Sequence, residues 1–274
     1  MIQVPNALVS TEWLYDYLEA EHLIVLNATI GKVTGTQEES VPIQIPTARF
    51  FDIKHKFSVQ GAKFPNTFPS EEQFVEQARL LGINKNSAIV VYDEKGIYSS
   101  ARAWWMFKVF GHNNVAVLDG GLPEWIKKGY KTEKKQELEY PIGDFVANYQ
   151  KGMMMFFDDM QKVVKDKTHN IVDARSESRF YGQLQEPREG LRSGHIPNSS
   201  CLPFVSLQQN GVFKEKEEIK KLFFKLLNKE KQTVFSCGSG ITACVLALGA
   251  EIVGIENISV YDGSWTEWGT LTNP

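Results

Sequence analysis

With 274 residues the chain can hold one large domain or two of about 130 residues each. Its 30 basic and 33 acidic residues leave a net charge of −3, which supplies no basic footprint for nucleic acid. No apolar run nears the roughly 18 residues of a membrane span, and MIQVPNALVS lacks a signal pattern, so a cytoplasmic protein that binds neither membrane nor nucleic acid is expected.

The first half alternates short apolar strands with helices. Ser10 caps a helix running to about residue 20, with Trp13, Leu14, Tyr17 and Leu18 on its apolar face. LIVLN at 23–27 reads as a buried strand, and 31–69 as loop with one compact element at 46–53 (PTARFFDI). Ser70 and Gln73 spell a capping box that opens a helix to about Leu81. AIVVY at 88–92 is the next strand, 98–110 an aromatic-rich helix, VAVL at 115–118 a strand, and DGGLPEW a turn into a short helix.

Composition shifts after Lys131, and KTEKKQELEYPIGDF has no sustained apolar period. The expected division is therefore an N-terminal domain 1–135, a linker 136–150 and a C-terminal domain 151–274. The second half repeats the first. Residues 91–125 fall on 234–268 at a constant offset of 143, matching Gly111 with Gly254, Asp119 with Asp262, Gly120 with Gly263 and Trp125 with Trp268. Each half then calls for an α/β fold, a parallel sheet with helices on both faces, with ligands beyond the carboxyl ends of the strands.

One stretch in the second half carries the chemistry. In VFSCGSGITA (234–243) an apolar strand stops at Cys237, Gly238 and Gly240 strip side chains from the turn, and a helix begins at Ile241 and Thr242. A thiol at that strand end, over a helix N-terminus, meets several backbone N–H groups and is easier to ionise, which makes Cys237 the expected nucleophile. Its counterpart in the first half is Glu94, so only the second half can run cysteine chemistry. The first half would then be a wall of the site, a structural partner, or both. The other cysteines are Cys201 and Cys244; three thiols without a C-x-x-C pair argue for a reducing compartment and against a metal cluster.

Arg175, Arg179, Arg188 and Arg192 lie in the segment that follows a strand ending at Asp173, the ligand edge of the sheet. Arginines suit planar anions, while solvated surface charge is the alternative for any one of them. Asp173 reads as the structural partner of a neighbouring arginine, and His195 as a hydrogen-bonded turn residue. Ser239, two residues after the thiol, can donate a proton or hydrogen bond to a leaving group; Thr242 can cap the helix or touch substrate.

CGSGITA (237–243), GHIP (194–197), DAR (173–175) with RF (179–180), EPREG (186–190), YSSARAWWMF and DGSWTEW together resemble the tandem-domain rhodaneses, over nearly the whole chain from Leu8 to Trp268. Within them the chain is most similar to the 3-mercaptopyruvate sulfurtransferases, because Gly238 and Ser239 stand where thiosulfate sulfurtransferases place basic residues. The resemblance implies two tandem rhodanese-like domains and a persulfide mechanism. Cys237 takes the sulfur of 3-mercaptopyruvate, pyruvate leaves, and a thiol acceptor such as thioredoxin or a low-molecular-weight thiol, or cyanide, removes the outer sulfur. It further implies substrate binding by Arg179, Arg188, Gly238, Gly240, Ile241 and Thr242, catalysis by Cys237 with Ser239 at the leaving enolate, and no metal or organic cofactor.

The chain departs from that family in its first half. Gln44 takes the place of a histidine, and Lys54 and Asn66 fall where an Asp and a His support the family's serine; Asp52 and His55 are the nearby groups able to replace them. With that relay unspelled, Ser239→Ala is expected to cost little by itself. Three alternatives stand beside this reading: a thiosulfate sulfurtransferase, a catalytically weak sulfur-relay or binding protein, and a cysteine phosphatase. The last needs C-x5-R and finds Ala243.

Overall fold

The computed structural model describes residues 2–31, 41–136 and 138–273. The loop expected at 31–69 therefore lies partly outside the described residues, at 32–40. The chain divides into two compact units. One comprises residues 1–60, 68–150 and 210–213, the other 61–67, 151–209 and 214–274.

In the first unit five strands run parallel, in the order Leu8–Val9, Val115–Leu118, Ala88–Tyr92, Leu23–Asn27, Arg49–Phe50. Every residue of Ala88–Tyr92 is buried, as a central strand covered on both faces requires. One face carries Val25, Val90, Tyr92, Ala116 and Leu118 against Leu14, Leu122 and Trp125 of the flanking helices Thr11–Tyr17 and Gly121–Lys127. On the other side Phe51, Phe57, Phe74 and Phe107 form one aromatic cluster, with Phe51 stacked on Phe57 at 3.6 Å between ring centroids.

The second unit repeats this plan. Its five parallel strands run in the order Ser199–Cys201, His169–Asp173, Gln232–Ser236, Ile258–Tyr261, Met154–Met155. The offset of 143 reappears in the elements themselves: helix Ser100–Val109 answers Ala243–Ile252, and strand Val115–Leu118 answers Ile258–Tyr261. Met160, Val163, Val234, Tyr261, Trp265 and Trp268 form the core on one face. On the other, helix Ala243–Ile252 is apolar all round and buried from Ala243 to Ala250, as its ACVLALGA run demands.

Several elements differ from expectation at their edges. The first helix closes at Tyr17 rather than 20. Ser70 caps its helix by accepting from the Gln73 amide, but the Gln73 side chain turns away and donates to the carbonyls of Lys56 and Ser58, so there is no reciprocal box. The helix after the Cys237 loop begins at Ala243, not at Ile241. Within the stretch expected as a linker, Phe145 is fully buried and the Gly143 and Phe145 amides bond to the Arg79 and Ile83 carbonyls, so its later residues pack on the first unit; Glu137 lies outside the described residues. No helix among the described residues is long and apolar enough to cross a membrane.

Candidate active site

Cys237 follows the last residue of the central strand Gln232–Ser236 and is buried. The strand ends there because the loop carbonyls turn to new partners: the amide of Trp265 bonds to the Cys237 carbonyl at 3.0 Å, and that of Thr266 to the Gly238 carbonyl at 2.9 Å. The Thr266 hydroxyl donates to the same Gly238 oxygen. Gly240 sits at φ +74, which only glycine adopts without strain, and that lets the chain reverse into the helix.

Ser264, at the N-terminus of helix Ser264–Leu271, ties the loop together. Its Oγ accepts from the amides of Cys237 at 3.0 Å and Gly240 at 3.2 Å. Its single proton reaches the Tyr261 carbonyl at 2.9 Å and has the Cys237 sulfur 3.8 Å away. Ser264 holds φ +49, a left-handed conformation that costs a non-glycine residue about 1 kcal/mol or more. Sequence reasoning missed it. The signal was present, since the offset of 143 sets Ser264 on Gly121, itself at φ +56: one copy uses glycine for that turn, the other a hydroxyl.

The arginines expected to bind substrate converge on the loop. The Arg188 guanidinium donates to Ser239 Oγ at 3.1 Å. A Cβ added to Gly238 would lie 3.1 Å from one terminal nitrogen of Arg179 and 3.8 Å from one of Arg188, so the missing side chain leaves room for both. Arg179 is itself clamped, with Nε and a terminal nitrogen on the two oxygens of Glu186. The Glu186 carboxylate is wholly buried and also takes Arg175 at 2.8 Å. Arg175 completes the chain by gripping Asp173, so Asp173 is that arginine's structural partner. Burial alone would push Arg175 down, but Asp173 and Glu186 outweigh it and hold the guanidinium above its ordinary value. Arg192 instead bonds to the Gly269 carbonyl and lies over the Trp265 ring. Ser239 has a second donor, Asn66, whose Nδ2 is 3.1 Å from Oγ and 3.3 Å from the Ser239 carbonyl.

Other expected residues have structural partners. Ile241 is buried beside Thr242, whose side chain makes no cap bond to the helix it precedes. His195 bonds to the Phe180 carbonyl and stacks on the Phe180 ring. Asp52 pairs with His55 and accepts the amides of Lys54 and His55, closing a turn. Gln44 bonds to the Ala48 carbonyl and to Glu133.

The thiols differ sharply in surroundings. Cys201 is pushed up to about 12, by burial first and then by Asp173 and Glu177, so it stays protonated. Cys244 points its thiol at the Gly240 carbonyl, 3.3 Å away, and is buried. Cys237 is the one of the three that follows the central strand, with the Ser264 hydroxyl 3.8 Å from its sulfur. The residues described contain no group of three or more His, Cys, Asp or Glu able to hold a metal ion.

The chain is similar to proteins of one family along most of its length. A model of the rhodanese-like domain matches residues 10–128 and again 157–271. The thiosulfate/3-mercaptopyruvate sulfurtransferase 1, mitochondrial, of Arabidopsis thaliana is 37% identical, over 98% of this chain and 77% of that protein. The 3-mercaptopyruvate sulfurtransferase of Homo sapiens is 35% identical, over 99% of this chain and 95% of that one. A crystal structure of a 3-mercaptopyruvate sulfotransferase from Escherichia coli superposes with a TM-score of 0.84 at 30% identity, covering 95% of this chain and 99% of that chain. With both halves matched and both sheets built on one plan, the chain belongs to the rhodanese family as a tandem pair of rhodanese-like domains.

Proposed function

We propose that this protein is a sulfurtransferase whose preferred donor is 3-mercaptopyruvate and whose carrier is a persulfide on Cys237. The observation that supports it most is the meeting of Arg179, Arg188 and Ser239 around the bare backbone of Gly238, one residue from the thiol. An α-keto acid with a sulfur on its third carbon offers a carboxylate and a carbonyl to two guanidiniums and its sulfur to Cys237.

In the first half-reaction the Cys237 thiolate attacks the donor's thiol sulfur. An S–S bond forms, the C–S bond breaks, and its electron pair leaves on carbon as the enolate of pyruvate, which gains one proton. The two sulfurs are oxidised to a persulfide and the carbon is reduced from methylene to methyl. In the second, a thiol acceptor or cyanide takes the outer sulfur and returns the Cys237 thiolate. The backbone N–H groups of the 237–242 loop other than those of Cys237 and Gly240, which bond to Ser264, stabilise anionic sulfur in both halves. Ile241 and Thr242 bind substrate through that backbone, and Gly240, whose amide bonds to Ser264, makes the turn that presents them. The acceptor is a thiol protein of the thioredoxin kind or a low-molecular-weight thiol, and the few unpaired cysteines fit a reducing compartment such as the cytoplasm. One relative's name carries the word mitochondrial, which makes the compartment a matter for direct localisation.

The test is steady-state kinetics on 3-mercaptopyruvate and thiosulfate with cyanide and dithiol acceptors. A higher kcat/KM for 3-mercaptopyruvate is expected; a higher value for thiosulfate, a donor also in the Arabidopsis relative's name, would reverse the preference. Cys237→Ser should abolish transfer of either sulfur, since a hydroxyl cannot carry a persulfide. Cys244→Ala, at a buried helix position whose thiol bonds weakly to the Gly240 carbonyl, should keep most activity. An active Cys237→Ser enzyme would end the proposal.

A further inference from the structure

Ser239 is held in an unusual way for a hydroxyl beside a reaction. It is buried, and its Oγ receives two nitrogens, Arg188 at 3.1 Å and Asn66 Nδ2 at 3.1 Å. The orientation of the Asn66 amide is fixed by its second contact: the same nitrogen lies 3.3 Å from the Ser239 carbonyl, which can only accept. A hydroxyl has two lone pairs and one proton. Both lone pairs are taken by donors, and neither donor nitrogen can accept the proton, so the one hydrogen-bonding element left to Ser239 is its O–H.

We infer that Asn66 is a positioning residue that, together with Arg188, commits Ser239 to donating its proton to the leaving carbon. The inference rests on the sulfur-transfer reading proposed above. As the C–S bond breaks, the Ser239 proton passes to the methylene carbon of the enolate. The electron pair left on Oγ is held by the Asn66 amide and the Arg188 guanidinium until water returns a proton. No titratable base takes part. The position departs from the resemblance, where a histidine stands, and it changes the expectation that Ser239 is unsupported: an amide replaces a base, and it orients the hydroxyl without accepting from it.

Asn66 sits at φ +59, where glycine is unstrained and Asn and Asp are well tolerated, so clean variants exist. Asn66→Gly deletes the amide without a backbone cost and should lower kcat on 3-mercaptopyruvate about fivefold, the worth of one hydrogen bond, with KM held within about twofold. In a Ser239→Ala background the same change should cost nothing more, because the group it orients is gone. Asn66→Asp is nearly the same shape but accepts where the amide donates. Its carboxylate accepts the Ser239 O–H hydrogen bond and turns that proton away from the leaving carbon, so kcat should fall at least as far as in Ser239→Ala.

Any of three results overturns the inference: unchanged kcat in Asn66→Gly, full additivity of the two deletions, or wild-type kcat in Asn66→Asp. Unchanged kcat in Ser239→Ala does so as well. Cys237→Ser run alongside separates the two levels. If it stays active the sulfur-transfer reading falls, whereas if it is dead and the Asn66 variants are unchanged, only the role of Asn66 is lost.

Discussion

At the scale of single residues, the two arginines in the site are held very differently. Arg179 has its fork on a buried carboxylate that it shares with Arg175, while Arg188 reaches the hydroxyl of Ser239. Glu186 therefore sets where Arg179 points. Charge-assisted hydrogen bonds to a substrate carboxylate are worth about 1.5–3 kcal/mol each, so Arg179→Ala and Arg188→Ala should each lower kcat/KM for 3-mercaptopyruvate roughly tenfold to over a hundredfold. Lysine should restore only part, since a point charge cannot reproduce a planar fork. Glu186→Gln should raise KM as well, because it loosens Arg179 and leaves buried guanidiniums short of an anion. Steady-state kinetics on the five variants checks this, and a kcat/KM unmoved in either alanine variant removes that arginine from the site.

At the scale of the element, strand, loop and helix form a cradle part of whose backbone is already bonded. The Cys237 and Gly238 carbonyls are bonded to residues 265 and 266, and the Cys237 and Gly240 amides share one serine oxygen. What remains adjustable is the pair of residues at 238 and 239. Thiosulfate carries two negative charges and leaves as sulfite, so cations beside the thiol favour it; the enolate of pyruvate needs a proton instead. The double variant Gly238→Arg with Ser239→Lys should shift the kcat/KM ratio toward thiosulfate, and the shift should shrink as salt is raised. The structure adds a second expectation. A Cβ at 238 would come 3.1 Å from Arg179, which Glu186 holds in place, so even Gly238→Ala should raise KM for 3-mercaptopyruvate. A donor ratio unchanged by the double variant would take donor choice away from the loop.

At the scale of the whole molecule, the two sheets share one plan, but the cysteine of the 237–243 loop has no counterpart in the first copy. The first copy spends the equivalent position on Glu94, which takes Lys135 and the side chain of Asn27 in its own unit. It also keeps a carboxyl in a costly place. Burial pushes Asp119 from its ordinary 3.8 up to about 6, although the Phe213 amide partly offsets this. Between those values the unfolded chain releases its proton while the folded one retains it, so stability falls as pH rises through that window. The loss is complete above the folded value. A rise of that size bounds the effect at about 3 kcal/mol, and partial exposure reduces it to about 1–2 kcal/mol. Asp119→Asn keeps an oxygen for the Phe213 amide. It should therefore melt about 2–6 °C higher than the parent at pH 7 and show no gain at about pH 3, below both values. Equal melting temperatures at pH 7, by calorimetry or circular dichroism, would contradict this.

What could be read from the sequence was what is local or repeated. The strands 23–27, 88–92 and 115–118 stand where their apolar runs lie, because a strand buried on both faces needs nothing else to announce it. The offset of 143 survived as element-for-element symmetry, and the Cys237 loop stood out because two glycines interrupt the chain between a strand and a helix. Helix ends were less legible. Gln73 abandons its capping box since carbonyls from residues 56 and 58, folded against it, compete for its side-chain amide. The rest of the site was decided only in three dimensions. Ser264 is 27 residues from Cys237, Asn66 is 173 from Ser239, and the Glu186 clamp depends on burying one carboxylate between two arginines. A sequence names the groups able to donate and accept; which of them share a lone pair is set by how the sheet and its connecting segments pack, because a hydrogen bond is made only within about 3 Å.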